Sequence, residues 1–434
     1  MLLQFTVENF RSFKTKCTLS LEPGNDETSD MDNHVAVIGR EQILRTAVIF
    51  GPNAAGKSNI FKALTAAILL IRTSNTRQVG DLLLPIVPFL FSETTKEAPS
   101  HFEFVFMAQG TKYIYGFSAT KRRIVTEYLY KYNSMNSVRP ATIFERDADA
   151  DKEYHFTNAV YKKELAPLIA RNTANKLFLA TATIWNSKTT AVPFSWFQMI
   201  DTYSSDYNTL FPKIVPLLQE DKDNSLKQFI RNMLHAADIN IQDYSFESKD
   251  ISDDEFFRHL PSQLVEMLPQ DFKQSHHTSV NVKFMHHIDE KDAVQDGKDF
   301  SLELRDESNG TINLFMLSPI LKQAFEEGRI VCIDEFDNSL HPMLVLYLVG
   351  LFHDPEINKA NAQLIISSHT TELLSSRIMR RDQIYFVEKN QKTGTSELYS
   401  LDEFAPGASK DIRKAYLLGR YGAVPTIDDG ELPW

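Results

Sequence analysis

One eight-residue segment constrains this chain of 434 residues more than any other, and it reads Gly51-Pro52-Asn53-Ala54-Ala55-Gly56-Lys57-Ser58. It satisfies the pattern G-x-x-x-x-G-K-[ST], in which glycines let successive backbone N–H groups point inward around phosphate oxygens. The apolar run of residues 46–50 precedes the segment, and apolar residues at helical spacing follow it. This order of strand, loop and helix predicts a phosphate-binding site.

Two side chains of this loop have predicted roles in chemistry. Lys57 is expected to reach the terminal phosphates of a nucleotide, and Ser58 is expected to offer its hydroxyl to Mg²⁺. The start of the following helix adds a partial positive charge that favours phosphate. The predicted nucleotide-binding residues of this region are Gly51, Pro52, Asn53, Ala54, Ala55, Gly56, Lys57, Ser58 and Asn59.

A second apolar run ends in two adjacent carboxylates, in the order Ile330-Val331-Cys332-Ile333-Asp334-Glu335. In proteins with such a phosphate loop a strand-terminal aspartate holds Mg²⁺, so Asp334 is the predicted metal ligand beside Ser58. Glu335 is the predicted catalytic group that orients or deprotonates the attacking water. Adjacent acids at a strand end are also common as solvated charges, so this interpretation depends on the phosphate loop.

Hydrophobic patterns along the rest of the chain predict an α/β fold with a mixed sheet. Residues 2–21 alternate as an opening strand pair, and residues 101–133 alternate as an antiparallel meander with a turn at Gln109-Gly110. From about residue 160 to 275 the pattern becomes mostly helical. Strand or helix signals then return at 279–285, 300–304, 311–326, 330–333, from 342, and at 363–367. We predict two halves of one head, residues 1–135 and 279–434, separated by an inserted, mainly helical lobe, residues 136–278.

Composition excludes several classes of protein. The 46 Lys and Arg residues and 57 Asp and Glu residues give a formal net charge of -11, unlike a protein that coats nucleic acid. Two distant cysteines, Cys17 and Cys332, exclude a disulfide framework and a cysteine zinc site. The N-terminus lacks a basic region followed by an apolar run, and the apolar stretches fall short of the ~20 residues of a spanning helix. We expect a cytoplasmic protein without a membrane partner.

Further motifs resemble a known group of proteins, and they follow in its order. The chain is similar to the SMC/RecF/OLD branch of ABC-type ATPases, especially the compact AAA-15/AAA-21-type proteins of phage-defence and abortive-infection systems such as PARIS. Besides the two segments above, the resemblance is carried by Glu8-Asn9-Phe10-Arg11-Ser12-Phe13, Glu307-Ser308-Asn309-Gly310-Thr311, Asp337-Asn338-Ser339-Leu340-His341-Pro342, Ile365-Ile366-Ser367-Ser368-His369 and residues 416–425. The segment at 307–311 departs from the usual Leu-Ser-Gly-Gly-Gln signature.

The resemblance implies an ABC-type head that uses ATP and Mg²⁺ at composite sites between protomers. ATP on the Lys57 side of one protomer would be closed by Ser308, Asn309 and Gly310 of another, in a homodimer or a higher oligomer. Ser308 alone is equally typical of a helix N-cap. His369 would be a catalytic sensor of the γ-phosphate and the attacking water, although a histidine after a strand is often structural.

Two further residues have open interpretations. The resemblance implies that Arg11 contacts the nucleotide phosphates, and an exposed strand-end arginine with no such contact is the open alternative. The glutamine that couples nucleotide to the inserted lobe in this group is unassigned, since Gln109 falls at a hairpin turn and Asn186 is a weak alternative.

The resemblance implies that the protein hydrolyses ATP and acts as a sensor, regulator or scaffold of a separate effector. That effector would be a toxin or nuclease from a neighbouring gene, and the trigger would be encoded by a phage. We expect no nuclease activity here, because 65 residues follow His369, too few for a TOPRIM domain. The alternative is a RecF-like DNA-repair or DNA-end-binding ATPase, for which DNA is the less favoured partner. Two basic clusters leave that alternative open, Lys121-Arg122-Arg123 and Arg377 with Arg380 and Arg381.

Overall fold

The computed structural model describes residues 1–24, 32–133, 139–251, 277–286, 300–404 and 411–425. The chain forms two compact units. The first comprises residues 1–205 together with 323–434, and the second comprises residues 206–322. The domain boundaries expected from the sequence, at residues 135 and 278, stay a prediction.

Nine helices and eighteen strands lie in the described residues. The helices are α1 (Lys57–Thr73), α2 (Ala159–Leu165), α3 (Phe178–Ile184), α4 (Lys188–Phe197), α5 (Tyr207–Glu220), α6 (Ser225–Ala236), α7 (Asn309–Glu327), α8 (Pro342–His353) and α9 (Ile412–Leu417). The strands are β1 (Leu2–Glu8), β2 (Cys17–Ser20), β3 (Val35–Ile38), β4 (Glu41–Leu44), β5 (Thr46–Phe50), β6 (Ser100–Ala108), β7 (Thr111–Ala119), β8 (Ile124–Lys131), β9 (Ala141–Asp147), β10 (Tyr154–His155), β11 (Ile200–Ser204), β12 (Ile241–Ile251), β13 (His277–His286), β14 (Phe300–Glu303), β15 (Ile330–Asp334), β16 (Gln363–Ser367), β17 (Ile384–Lys389) and β18 (Ser396–Ser400).

The first sheet of unit one is antiparallel, in the strand order β10-β9-β8-β7-β6-β1-β2. It contains the predicted opening strand pair and the predicted meander, both of which are confirmed. Its buried face is rich in phenylalanine, and Phe5 lies opposite Phe104 with ring centroids 4.9 Å apart. Helix α4 covers this face, because Trp196 stacks on Phe106 at 3.9 Å. Aromatic pairs of this kind add to the free energy gained from burial.

The second sheet of unit one has the order β11-β15-β16-β5-β17-β18, and only its edge strand β18 runs antiparallel to its neighbour. Residues 46–50 and 363–367 are buried throughout, which is typical of parallel strands covered on both faces. The carboxyl ends of β5, β15 and β16 therefore meet at one edge. Ligands bind at this kind of edge in open α/β sheets.

A buried ion pair fixes α3 to the antiparallel sheet. The Glu127 carboxylate accepts hydrogen bonds from the backbone N–H groups of Phe178, at 2.6 Å, and Leu179, at 2.9 Å. The Arg146 guanidinium lies 3.9 Å from the same carboxylate, and both side chains are buried. Burial outweighs this partner and raises the pKa of Glu127. The carboxylate thus caps a helix start inside the core.

Unit two has its own small core. Its three-stranded antiparallel sheet has the order β12-β13-β14. Phe315 of α7 packs edge-on against Tyr244 and Phe284, with ring centroids 5.2 and 5.1 Å away. Helices α5 and α6 complete its described elements.

Helices dominate residues 160–251, the described part of the stretch from 160 to 275, as predicted, but two strands in this part were not predicted. Residues 200–204 form β11 beside β15, and residues 241–251 form β12. The remaining positions of that stretch, 252–276, lie outside the described residues. Within the described part of the chain, no helix is both long enough and apolar enough to cross a membrane.

Candidate nucleotide site

The phosphate loop follows β5 at the carboxyl edge of the parallel sheet, and two of its residues must be glycine. A Cβ on Gly51 would lie 2.4 Å from the Val387 carbonyl oxygen, well inside contact distance. Gly56 has a φ of 119°, and its Cβ would lie 2.5 Å from the Ser396 hydroxyl. Only a residue without a side chain avoids both clashes. Close approach of neighbouring strands therefore shapes the loop.

Lys57 lies folded against its own loop. Its ammonium donates to the carbonyl oxygens of Gly51, at 2.8 Å, and Pro52, at 3.2 Å, and the residue is 7% exposed. Burial lowers the pKa of Lys57, while Asp334 and Glu335 act in the opposite direction. The carbonyl oxygens that hold Lys57 carry only a partial negative charge, whereas the oxygens of a phosphate group carry a full negative charge. Phosphate is therefore a stronger partner than the carbonyls that hold Lys57 here.

The turn between β1 and β2 supports the phosphate loop from outside. The Ser12 hydroxyl accepts from the Asn59 amide at 2.7 Å, and the Ser12 carbonyl accepts from the Ser396 N–H at 2.8 Å. Ser396 in turn donates its hydroxyl to the Ala55 carbonyl at 2.5 Å. Arg11 lies beside Ser12 with an exposed side chain 5.7 Å above the Phe10 ring. Its contact with phosphate stays a prediction.

Ser367, at the end of β16, positions the acidic pair at the end of β15. Its hydroxyl donates to Asp334 Oδ1 at 2.6 Å and accepts from the Glu335 N–H at 2.7 Å. Glu335 has a φ of 56°, a left-handed conformation that is uncommon for a residue with a side chain. The single serine therefore fixes both the metal-ligand candidate and the turn that carries the candidate base.

Asp337 joins this turn to the segment after β16. Its Oδ2 atom accepts from the His369 backbone N–H at 2.8 Å and from the Thr370 hydroxyl at 3.1 Å. Burial and the charge of Lys57 lower the pKa of His369, with Asp337 and Glu335 opposing them. The lowered pKa favours a neutral imidazole, which can both donate and accept a hydrogen bond at neutral pH.

A cavity of about 670 Å³ opens beside these groups in unit one. It is lined by Gly51, Pro52, Asn53 and Ala55 of the phosphate loop and by His369. The volume falls within the range of small-molecule sites. The geometry thus brings the phosphate loop and His369 to one cavity.

The chain was also compared with known families. A model described as "AAA domain, putative AbiEii toxin, Type IV TA system", named AAA_21, matches residues 47–173 and 202–375. These ranges cover more than half of the chain. The chain belongs to the AAA_21 family.

Solved structures similar to this AAA_21 chain include two SMC heads, each at 12% sequence identity. One is "Crystal structure of the SmcHead bound to the C-winged helix domain of ScpA", with a TM-score of 0.39 over 92% of this chain and 97% of that chain. The other is "SMC head domain from Thermotoga maritima", with a TM-score of 0.35 over 92% of this chain and 98% of that chain. No curated protein matches.

The residues of the AAA_21 chain that could hold Mg²⁺ were tested by their chemistry. In nucleotide sites Mg²⁺ keeps several waters and takes one or two protein oxygens together with phosphates. Asp334 offers a carboxylate fixed by Ser367, and half-buried Ser58 offers a hydroxyl at the start of α1. This pair fits such a site. A cluster of three or more His, Cys, Asp or Glu ligands does not occur among the described residues.

The signature candidate of the AAA_21 chain lies in unit two, at the start of α7. The Ser308 hydroxyl accepts from the Thr311 N–H at 3.1 Å, so Ser308 does cap the helix. Ser308 and Asn309 are exposed, and Gly310 is half-buried. The cap and the predicted trans contact are compatible, because the hydroxyl oxygen accepts in the cap while the hydroxyl proton can be donated to a phosphate oxygen.

Sequence reasoning missed six other residues that line the cavity. They are Glu388, Lys389, Gln391, Tyr416, Val424 and Pro425. The last three fall in the segment that carried part of the resemblance, but their place beside the phosphate loop depends on packing across the chain. Gln109, one of the weak candidates for the coupling glutamine, lies at the β6–β7 turn with a φ of 47°.

The basic clusters have internal partners in this AAA_21 chain. Arg123 pairs with Asp149 at 2.7 Å. Arg380 pairs with Asp382 at 2.6 Å, and Arg381 donates to the Leu401 and Phe404 carbonyls at 2.9 Å each. These guanidinium groups are thus used in part within the fold, which disfavours the clusters as nucleic-acid contacts.

Proposed function

We propose that this protein hydrolyses ATP at the carboxyl edge of its parallel sheet. One observation carries the proposal: Ser367 and Asp337 link the acidic pair Asp334-Glu335 to His369 beside the phosphate loop. A catalytic base, a metal ligand and a neutral hydrogen-bonding imidazole thereby share one rigid frame. Fixed groups of this kind stabilise a phosphoryl-transfer transition state without reorganisation.

Each residue then has a defined task. Lys57 leaves the Gly51 and Pro52 carbonyls for the stronger charge of the terminal phosphates. Ser58 and Asp334 would hold Mg²⁺, which would supply positive charge to the phosphates of the nucleotide. Glu335 accepts a proton from the attacking water, and His369 positions that water and the γ-phosphate.

We further propose that each site is composite. Ser308, Asn309 and Gly310 of a second copy would meet the γ-phosphate, with the hydroxyl and N–H groups of a helix start facing the charge. Exposure of Ser308 and Asn309 supports this role, because the trans contact needs an accessible surface. A homodimer, or a higher assembly of dimers, follows from the mutual exchange of this segment.

The proposed biological role is that of a sensor, regulator and scaffold for a separate toxin or nuclease in anti-phage defence. The description of the AAA_21 family, with its reference to a toxin and a toxin–antitoxin system, supports this setting. An effector encoded by a neighbouring gene and a phage-encoded trigger would be the partners.

The test measures ATP binding and hydrolysis by the wild type and by Lys57→Ala and Glu335→Gln. Lys57→Ala should lose ATP binding, whereas Glu335→Gln should keep ATP bound and reduce hydrolysis at least about 100-fold, as expected for loss of a general base. Glu356→Gln is the matched control, since Glu356 is an exposed acid whose nearest charged partner is Lys359. Equal hydrolysis by all four proteins would refute the proposal.

The role as regulator has its own test. Mass photometry of Glu335→Gln with ATP and Mg²⁺, co-expressed with the neighbouring gene product, should detect an assembly that releases that product when nucleotide is withdrawn. Assembly that instead requires DNA, with hydrolysis stimulated by DNA and steeply weakened by salt, would favour the RecF-like alternative.

A further inference from the structure

The segment 411–425, here called the C-terminal strap, folds back on itself beside the cavity. The Tyr416 hydroxyl donates to the Ala423 carbonyl at 3.0 Å, and the Tyr399 hydroxyl donates to the Tyr421 carbonyl at 2.8 Å. Gly422 and Ala423 have φ values of 66° and 53°, so consecutive left-handed residues reverse the chain. The strap lies outside the residues matched by the family model.

Aromatic packing fixes the C-terminal strap against the parallel sheet. The rings of Tyr416 and Tyr421 both stack on Phe386 of β17, with centroids 5.3 and 5.8 Å away and interplanar angles of 14° and 16°. Phe386 lies opposite Phe50, the residue directly before the phosphate loop. The strap is thus anchored one strand away from the loop.

The strap and the phosphate loop face one shared cavity. Its lining includes Gly51, Pro52 and His369 as well as Val424 and Pro425 of the strap. The tip of the β17–β18 hairpin contributes Gln391. A site that bound phosphates alone would have no use for this apolar and amide surface.

We propose that the C-terminal strap and the hairpin tip form the wall that binds the nucleoside of the nucleoside triphosphate. Val424 and Pro425 offer apolar contact to the base or ribose, and the Gln391 amide can both donate and accept a hydrogen bond. Phosphates bound by the loop leave the nucleoside tethered in the same cavity, where the wall can reach it. This inference rests on the proposed function, because it extends the same site.

Two tryptophan substitutions test the wall by filling it. Val424→Trp acts from the strap, and Gln391→Trp acts from the exposed hairpin tip, where the added ring does not enter the core. The matched controls are Leu417→Trp, at a strap position that is 58% exposed, and Lys392→Trp, the exposed neighbour of Gln391. Neither control residue lines the cavity.

Affinity for ATP and for tripolyphosphate is measured by calorimetry for each protein. The wild type should bind ATP at least about tenfold more tightly than tripolyphosphate, which corresponds to about 1.4 kcal/mol from the nucleoside. Val424→Trp and Gln391→Trp should lose this preference while their affinity for tripolyphosphate stays within about twofold of wild type. The two controls should keep the preference.

Two different failures can be told apart. If both wall variants keep the wild-type preference for ATP, or if wild type binds the two ligands equally, the inference is overturned while the phosphate site stands. If wild type binds neither ligand, the proposed function fails and the inference fails with it. Gln391→Trp decides the result should Val424→Trp fail to fold.

Discussion

The Ser367 hydroxyl donates a 2.6 Å hydrogen bond to Asp334 Oδ1 and accepts a 2.7 Å hydrogen bond from the N–H of Glu335. Ser367 is fully buried, so water cannot replace either bond. The last residue of β16 thereby controls the orientation of the last residue of β15 and of the residue that follows it. Orientation of this kind decides how well a carboxylate acts on metal and water.

Ser367→Ala should therefore impair hydrolysis more than nucleotide binding. We expect roughly tenfold slower hydrolysis, within the range found when groups supporting metal ligands are removed, with ATP affinity nearly unchanged. Ser368→Ala is the control, because the Ser368 hydroxyl is also buried but accepts from the Thr370 N–H instead. Single-turnover hydrolysis and equilibrium binding measure the two effects. Equal loss in both variants would assign Ser367 a purely structural role.

Substitution of Glu127 should lower the free energy of unfolding more than most other substitutions in unit one. Glu127→Ala leaves the N–H groups of Phe178 and Leu179 without their acceptor and leaves Arg146 without one of its carboxylate partners. Loss of one member of a buried ion pair typically costs about 3–5 kcal/mol of unfolding free energy. Glu127→Gln should cost less, because its amide oxygen still accepts. Urea unfolding measures the free energy of unfolding of both variants. An equal loss in Glu127→Ala and Glu127→Gln would contradict the prediction.

The surroundings of two histidines indicate that the free energy of unfolding depends on pH. His34 and His353 stack with ring centroids 3.5 Å apart. The Gln383 amide donates to the Thr46 hydroxyl oxygen, which leaves that hydroxyl proton for His353 Nε2 at 2.8 Å. His34 Nδ1 donates to Gln383 Oε1 at 2.8 Å. Because its Nε2 atom accepts, this arrangement holds the His353 ring neutral.

Burial lowers the pKa of both histidines. For His34, the hydrogen bond to Gln383 opposes this effect and the charge of Arg380 adds to it, while a protonated His34 and Arg45 further lower the pKa of His353. Because the folded pKa lies below the unfolded value of 6.5, the unfolded chain binds more protons as the pH falls through that range. The contribution of these two histidines to the free energy of unfolding should be fully present above about pH 6.5, and the free energy of unfolding should decline below that pH. His34→Phe with His353→Phe should weaken this decline, as measured by urea unfolding at about pH 7.5 and 5.5. An unchanged decline would contradict the assignment.

Elements of the fold could be predicted where a short segment of the sequence carries a recognisable pattern. Residues 46–50 and 330–333 are short apolar runs with a loop motif or acidic pair at the end, and each is a buried parallel strand. The phosphate loop, Asp334, Glu335 and His369 were therefore located from patterns that span a few residues. Their hydrogen-bonded frame was not predicted, because a serine before His369 carries no signal of its own.

Contacts between residues far apart in the sequence explain the features that local patterns did not predict. Strand β11, IDTYS, has a mostly polar sequence, and it forms a strand because it pairs with β15 more than one hundred positions away. Likewise, Tyr416 lines the cavity and stacks on Phe386, which is 30 positions earlier in the chain. Such contacts override local preference and leave no period in the sequence.

In the composite site that we propose, one protomer supplies Lys57 and its partner supplies Ser308 to the same ATP. Heterodimers of Lys57→Ala with Ser308→Arg, purified through two different affinity tags, should contain one intact site of two. We predict about half of the wild-type hydrolysis rate for these heterodimers, while either variant alone is inactive. Heterodimers as inactive as the single variants, or full activity of Ser308→Arg alone, would contradict the composite site.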